Sequence, residues 1–325
     1  MQEKKVTIVI PNYNGIKYIR GCMNSLYSQE GEPFEIIVVD NGSKDGSLAV
    51  LQEEYPEAKV IALAENTGFC HAVNLGIKES KTSYVILLNN DTIVKPGFVK
   101  ALTEAIEERN DIFSVSPMML SMQDENIIDD AGDGYCVLGW AYARGKGKPA
   151  TKYEKRCRIF AACGGGAIYR KAMMEDIGYF DENHFAYLED IDIGYRAEIY
   201  GYKNYYEPSA KVIHAGSATS GSRYNTFKTN LSSTNNSYMI GKNMPLFFIF
   251  INFPFLLLGF LVKAFFFSCK KMGILYIKGY LKGIARCFTK EGKSHHVPFR
   301  WKHLWNYIRI EGWQILGIAG YFMKY

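Results

Sequence analysis

Paired cysteines are absent. The seven present (Cys22, Cys70, Cys136, Cys157, Cys163, Cys269 and Cys287) form no C-x-x-C pair and no zinc-type spacing. An odd, scattered set predicts reduced thiols and a cytosolic setting. No secretory leader is expected: Met1 to Lys5 is polar, and the apolar run after it is only Val6 to Ile10. No G-x-G-x-x-G follows that run and no G-x-x-x-x-G-K-[ST] occurs, so dinucleotide and P-loop readings lose their main support. Charge of one sign is also lacking, with 38 Lys/Arg against 33 Asp/Glu and a net of +5.

That small net charge hides an asymmetry. From Lys263 onward 12 Lys/Arg face two Asp/Glu, a net of +10, which leaves −5 for residues 1–262. A slightly acidic body with a basic, aromatic-rich tail is unlike a nucleic-acid-binding domain. It fits a soluble body whose tail meets an anionic surface. With 48% hydrophobic and 22% charged residues the chain is globular, and 325 residues suit one large domain with an appendage, or two domains.

What is present begins with apolar runs that end on polar residues. Val6 to Ile10 stops at Pro11-Asn-Tyr-Asn-Gly15. Glu35 to Val39 stops at Asp40-Asn-Gly-Ser43. Tyr84 to Leu88 stops at Asn89-Asn-Asp91. Continuous apolar runs read as buried parallel strands. Helices are expected at roughly 16–28, 44–55, 70–79 and 96–109, with further strands at 59–63 and 112–116. The alternation predicts a mostly parallel sheet with helices on both faces. Ligands bind at the carboxyl ends of such strands. Asp40 could accept hydrogen bonds from a nucleotide or cap the next helix. Asp91 could hold a hard cation, or Asn-Asn-Asp-Thr could be a turn and cap. Asn66-Thr-Gly68 opens a helix whose N–H groups could take phosphate.

The stretch from about Gln123 to Thr151 is glycine-rich and irregular, and Ala143 to Pro149 reads as a mobile loop. Gly164, Gly165 and Gly166 interrupt an apolar run, which suggests either that something approaches the backbone closely or a simple turn. Leu188, Ile191 and Tyr195 have helical spacing, so Glu189 to Tyr200 is expected to be a helix with Glu189, Asp190 and Asp192 near its start. Asp190 beside a cleft could take a proton from an acceptor hydroxyl; Glu189 and Asp192 could instead be solvated. Short strands are expected at 203–207 and 211–214. His214 then precedes a Gly/Ser-rich lid-like loop with Arg223 beyond it.

Taken together, these pieces resemble the inverting family 2 glycosyltransferases, which have the α/β GT-A fold, a Rossmann-like sheet flanked by helices. The resemblance rests on Val6-Thr-Ile-Val-Ile-Pro-Asn-Tyr-Asn14, Ile36-Ile-Val-Val-Asp-Asn-Gly-Ser43, Asn66-Thr-Gly-Phe69 with Asn74, Leu87-Leu-Asn-Asn-Asp91, Cys163-Gly-Gly-Gly-Ala167, and Glu189-Asp190 followed by His214. It implies that Pro11, Tyr13, Asn14 and Asp40 meet the donor nucleotide. Asn66, Gly68 and Asn74 would shape that side, and Asn89, Asn90 and Asp91 would meet the donor. Asp91 and His214 would hold Mg2+ or Mn2+. Gly164, Gly165, Gly166 and Glu189 would lie on the sugar and acceptor side, with Asp190 as general base. The first Asp of the family's D-x-D is Asn89 here, so Asp91 is the only charged ligand of that motif. Asn-Asn-Asp resembles rhamnosyltransferase-like bacterial members and implies dTDP-rhamnose or a UDP-sugar as donor, with a lipid-linked or oligosaccharide acceptor. A nucleotidyltransferase would need basic residues between Pro11 and Gly15, which are lacking. A non-catalytic adaptor on the same fold would not need Asp40, Asp91, Asp190 and His214 together.

Residues 1–225 are therefore expected to be the catalytic domain and 226–325 a helical, membrane-associating tail. Pro245 to Val262 is 18 residues without a charge, interrupted by Asn252 and Pro254. That is the lower limit for a span. The alternatives are a buried core helix or an oligomer interface. The basic flank after it favours attachment to the cytoplasmic leaflet over a single span, which would put the basic tail outside.

Overall fold

A computed structural model describes residues 4–216 and 224–322. The expected lid beyond Gly216, with Arg223, lies outside the described residues. The first half of the chain alternates as predicted, apart from a short added strand, β5: β1 (Val6–Asn12), α1 (Ile19–Tyr27), β2 (Phe34–Asp40), α2 (Ser47–Glu54), β3 (Lys59–Ala62), α3 (Phe69–Glu79), β4 (Tyr84–Leu88), β5 (Thr92–Val94), α4 (Phe98–Glu107) and β6 (Ile112–Ser121). Then come β7 (Asp124–Asp130), β8 (Asp133–Cys136), β9 (Trp140–Ala143), β10 (Cys157–Ile159), β11 (Gly166–Arg170), α5 (Lys171–Ile177), α6 (Glu189–Tyr200) and β12 (Lys203–His214). Helices α7 (Thr226–Asn243), α8 (Leu246–Cys269), α9 (Gly273–Arg286), α10 (Lys290–Ser294) and α11 (Leu304–Phe322) complete it.

The main sheet runs β10-β12-β6-β11-β4-β1-β2-β3, with β5 on β12 and β7 on β6; β8 and β9 form a separate hairpin. β1, β2, β3 and β4 are parallel, with Ile8 opposite both Ile36 and Ile86. β11 inserts antiparallel between β4 and β6. Side-chain alternation divides the core. Ile8, Ile10, Ile86 and Leu88 pack on one face with Met23 and Leu102 of α1 and α4. Val9, Val85 and Leu87 pack on the other with Val73 and Ile77 of α3. Burying each such side chain contributes about 1.5–3 kcal/mol.

The irregular 123–151 reading is corrected. Its residues form β7, β8 and β9, and the supposedly mobile piece is fastened. The Arg144 N–H donates to the Gly132 carbonyl (2.9 Å), that of Gly147 to Ile128 (2.8 Å), and Lys146 pairs with Asp129 (2.7 Å). These strands are short: β7 pairs with β6, which runs to Ser121 rather than stopping at Ser116, and β8 and β9 pair only with each other. The two strands expected at 203–214 are one, with a register shift between Glu207 and Lys211.

The tail packs on the body. Ile191 and Tyr195 of α6 share a cluster with Met239 and Ile240 of α7, Phe248 of α8, and Tyr307 and Ile310 of α11. α9 lies close against α7 because Gly279 and Gly283 face it. A Cβ on either would fall 2.0 Å from the Ser233 hydroxyl or the Thr234 carbonyl. α8 runs uninterrupted through Asn252 and Pro254. Asn252 is buried and donates to Glu311 (2.6 Å). By length and composition α8 could cross a bilayer, at mean hydropathy 2.2, and only 22% of its most apolar window is buried. That exposure disfavours the core-helix alternative.

At the junction, the Lys242 ammonium of α7 sits between Asp181 and Asp192, 2.8 Å from each, and Arg196 adds a second cation on Asp192 (2.9 Å). Asp192 has no exposed surface, so its solvated reading is wrong. Burial opposes ionisation of both carboxyls, but Lys242 outweighs it and holds them below the ordinary range. His184 is fully buried beside them, and burial lowers its imidazole from 6.5 to about 4. A base lowered in the folded state keeps its stability above the unfolded value and loses it as pH falls. The His184 contribution should therefore drop by about 3 kcal/mol between pH 6.5 and 4, while Asp130 and Glu189, raised by burial, pull the other way over the same range. Thermal melts of the native protein and of His184→Gln over pH 3.5–7.5 isolate it: the stability difference between the two should shift by that amount as pH falls.

Candidate active site

Three strand ends meet at the carboxyl edge of the sheet. Asn12 ties two of them together. Its amide donates to Asp40 (2.7 Å) and to the Ser47 hydroxyl (2.9 Å), and its oxygen accepts from the Asn90 amide (2.7 Å). Gly15 leaves room for this knot, since a Cβ there would lie 2.2 Å from both the Asn12 oxygen and the Asn90 nitrogen. Asp40 is fully buried and also accepts from the Ser43 N–H (3.0 Å). It does not cap α2, which begins after Gly46. Asn14 is exposed at φ +52° and holds the Lys44 N–H (2.9 Å); Pro11 and Tyr13 are half-buried beside it.

Asn66 and Gly68 shape a second turn. The Asn66 oxygen accepts from the Gly68 N–H (3.0 Å) and the Asn41 amide (3.1 Å). The phosphate reading of this helix start is corrected, because the N–H groups of Phe69 and Cys70 both donate to the Phe185 carbonyl (2.7 and 3.3 Å). Asn74 is buried and already bonded on both sides of its amide. Its amide is occupied by the Phe180 carbonyl (2.8 Å) and Glu182 (2.9 Å).

Asp91 is buried and faces His214 across the β5–β12 pairing, with its Oδ1 3.3 Å from Nε2. It is not part of a cap, since α4 starts only after Gly97. His214 Nδ1 is 2.8 Å from Asp129, which Lys146 also holds. Burial alone would lower the imidazole, but hydrogen bonds to Asp129 and Asp91 and their charges raise it to about 9. Next along β7 and β8, Asp130 and Asp133 gather with Cys163, their ligand atoms within 4.8 Å of one another. Burial pushes Asp130 up to about 7.

Asp133 and the Gly164 N–H reach the other centre, Asp190. Burial raises the Asp190 carboxyl above its ordinary value; the Ile191 N–H (2.7 Å), Asp133 and Gly164 only partly offset this. Glu189 is buried too, with Oε2 lacking a partner among the described residues. Burial, then the Asp190 charge, raises it to about 8, so its solvated reading is also overturned. The glycine run lies between the two centres. A Cβ on Gly165 would stand 2.9 Å from the Asn89 amide nitrogen, and Gly166 pairs with Leu88.

Two groups of site residues had gone unread. Asp129, Asp130 and Asp133 lay in the glycine-rich stretch, although Ile127-Ile128-Asp129-Asp130 has the same apolar-to-acid ending as Leu88 to Asp91. Asn235 lay in the tail. Phe185, Tyr187 and Leu188 all have left-handed backbone (φ +56°, +72° and +67°) immediately before Glu189. Such strain persists only where the surroundings impose it. The Asn235 amide donates to the carbonyls of His184, Ala186 and Tyr187 (2.8, 2.9 and 2.9 Å). Asn235→Ala should release this segment and lower turnover more than donor binding; a kinetic comparison with a donor-binding titration separates the two.

Residues 7–178 match the family model described as Glycosyl transferase family 2. The N-acetylglucosaminyl-diphospho-decaprenol L-rhamnosyltransferase of Mycobacterium tuberculosis is 25% identical over 230 residues, 64% of this chain and 75% of that one. The uncharacterized glycosyltransferase YwdF of Bacillus subtilis is 30% identical over 214 residues, 65% of this chain and 74% of that one. Among solved structures, S. aureus TarS 1–349 superposes with TM-score 0.54 at 18% identity, over 96% of this chain and 92% of that one. GalNAc-T7, solved with UDP, GalNAc and Mn2+, gives 0.59 at 17% identity; the match covers 73% of this chain and about half, 47%, of that one. With the sheet order and the crevice at its carboxyl edge, these matches place the chain in glycosyltransferase family 2, as a glycosyltransferase with the GT-A fold.

Proposed function

We propose that the enzyme transfers a sugar from a nucleoside-diphosphate donor, dTDP-rhamnose or a UDP-sugar, to a hydroxyl of a lipid-linked glycan with inversion. The observation that carries this reading is the placing of Asp91–His214 and Asp190 on either side of the Gly164–Gly166 run. Asp190 takes the proton from the acceptor hydroxyl, and its raised pKa makes it a stronger base. Glu189, whose neutral form burial favours, can donate a hydrogen bond from the oxygen that lacks a partner among the described residues. Asp40, Asn12 and the Asn41–Asn66 turn form the floor of the nucleotide end. The acceptor attacks opposite the leaving diphosphate, and one displacement inverts the anomeric centre.

The residues at Asp91 fit a hard divalent cation, Mg2+ or Mn2+. Two carboxylates hold a proton on His214, and a cation at Asp91 and Nε2 would take its place, with Asp129 fixing the ring through Nδ1. Bound there, such an ion stabilises charge developing on the leaving diphosphate. Mn2+ accompanies UDP in the GalNAc-T7 structure, and the mycobacterial relative is named for a rhamnosyl transfer to a diphospho-polyprenol; both support the reading by likeness. The catalytic unit is residues 1–225. The tail, 226–325, attaches it to the cytoplasmic face of the membrane through the exposed apolar side of α8 and the basic residues beyond Lys263.

The test is a thermal-shift screen of dTDP-, UDP- and GDP-sugars and their diphosphates with Mg2+, Mn2+ or EDTA. A selective, metal-dependent rise is expected, about 2.7 kcal/mol at a hundredfold excess over Kd. Asp129→Asn should weaken the metal requirement's apparent affinity by roughly 10–100-fold. No rise with any nucleotide in folded protein would overturn the reading.

A further inference from the structure

An apolar cleft of about 790 Å3 lies between the tail and the body, outside the donor crevice. Its two walls differ in kind. Lys228, Thr229, Ser232, Ser233 and Asn236 line it from one face of α7, at helical spacing. Phe255, Leu258, Val262 and Phe266 line it from one face of α8. Leu188, two residues before Asp190, belongs to the same lining. The cleft therefore reaches from the start of the catalytic helix to the exposed apolar side of α8.

Cations stand along it. Lys228 and Lys263 are both in its lining. Burial and the nearby charge of Lys146, the partner of Asp129, hold the Lys228 ammonium below its ordinary value. Lys228 thus makes the α7 wall positive near Lys146, while Lys263 stands within the aromatic and aliphatic α8 wall, over the Trp140 ring (5.6 Å). The outer surface continues the apolar end. Leu258 and Val262 remain about half exposed (52% and 45%), and α9 adds Ile274, Ile277, Leu281 and Ile284 in one exposed stripe beside Lys278 and Lys282. An amphipathic basic helix of this kind lies in a bilayer interface.

We propose that this cleft binds the isoprenoid diphosphate of a lipid-linked acceptor, with the prenyl chain against α8 and the diphosphate at the Lys228 end. The inference rests on the lipid-linked acceptor of the proposed function and supplies its site. An apolar chain suits the α8 wall, and a doubly anionic head suits Lys228. Held so, the sugar beyond the diphosphate would extend past Leu188 toward Asp190.

The test is photolabelling of the full-length enzyme with a benzophenone-bearing isoprenyl diphosphate, the labelled peptides being mapped by mass spectrometry. Label is expected in 224–236 and 255–267, competed by farnesyl diphosphate but not by inorganic diphosphate or phosphatidylglycerol. Val262→Trp, which fills the cleft from a half-exposed position, should cut labelling at least tenfold. Leu261→Trp, equally exposed but outside the cleft, should leave it unchanged. Equal competition by phosphatidylglycerol, or equal loss in both variants, would mean a general bilayer surface and overturn the proposal. Specific labelling without any donor-induced thermal shift would leave the cleft standing and sink the donor reading instead.

Discussion

Asp190→Asn is expected to lower turnover by about 10²–10⁴-fold, the usual worth of a positioned general base. Donor binding should be untouched. The substitution removes the basic oxygen but keeps shape and one acceptor, so the Ile191 N–H can remain paired. Glu189→Gln is the control. Burial favours the neutral form of Glu189, raised to about 8, and the amide resembles the protonated acid. Its loss should be smaller, and it should lack any change that native Glu189 shows near pH 8. Single-turnover transfer from the donor found in the thermal screen measures both. Near-native turnover by Asp190→Asn would remove Asp190 from the role of base.

The second large effect is on stability. Lys242→Met should destabilise the fold by about 3–5 kcal/mol, because it strands Asp181 without its cation and Asp192 with Arg196 alone. Asp181 also accepts from the Tyr238 hydroxyl (2.9 Å) and Asp192 from the Asn243 amide (2.7 Å), so α7 would lose its polar seat on α6. A melt should fall by several degrees. The drop should shrink below pH 4, where the stranded carboxyls protonate. An unchanged midpoint at neutral pH would show that apolar packing alone docks the tail.

The strands were legible because burial on both faces writes a continuous apolar run. Val6 to Ile10 and Tyr84 to Leu88 allow no other reading. Their polar endings, Asn12, Asp40 and Asp91, marked the crevice for the same reason: a carboxylate after such a run needs a partner or a task. Helix α6 was legible from its spacing, down to its first residue. The β7–β9 region was not, because its strands are only four to seven residues long, β7 meets β6 across register shifts, and β8 and β9 form a hairpin of their own. That Asn74 bonds Phe180 and Glu182 was not legible, because composition cannot say which neighbour saturates an amide.

By itself the sequence determined the alternating α/β core, the acids at its carboxyl edge and a basic, apolar tail. These follow from local rules: periodicity, chain reversal and charge count. Only the tertiary structure decided which acids meet. Asp129 reaches His214 from 85 residues away. Lys242 neutralises Asp192 from 50 residues away, and Asn235 holds the strained turn before Glu189. Each of these contacts joins groups distant along the chain, and each is set by burial, which makes an unpaired charge or amide costly enough to select a partner that no local pattern names.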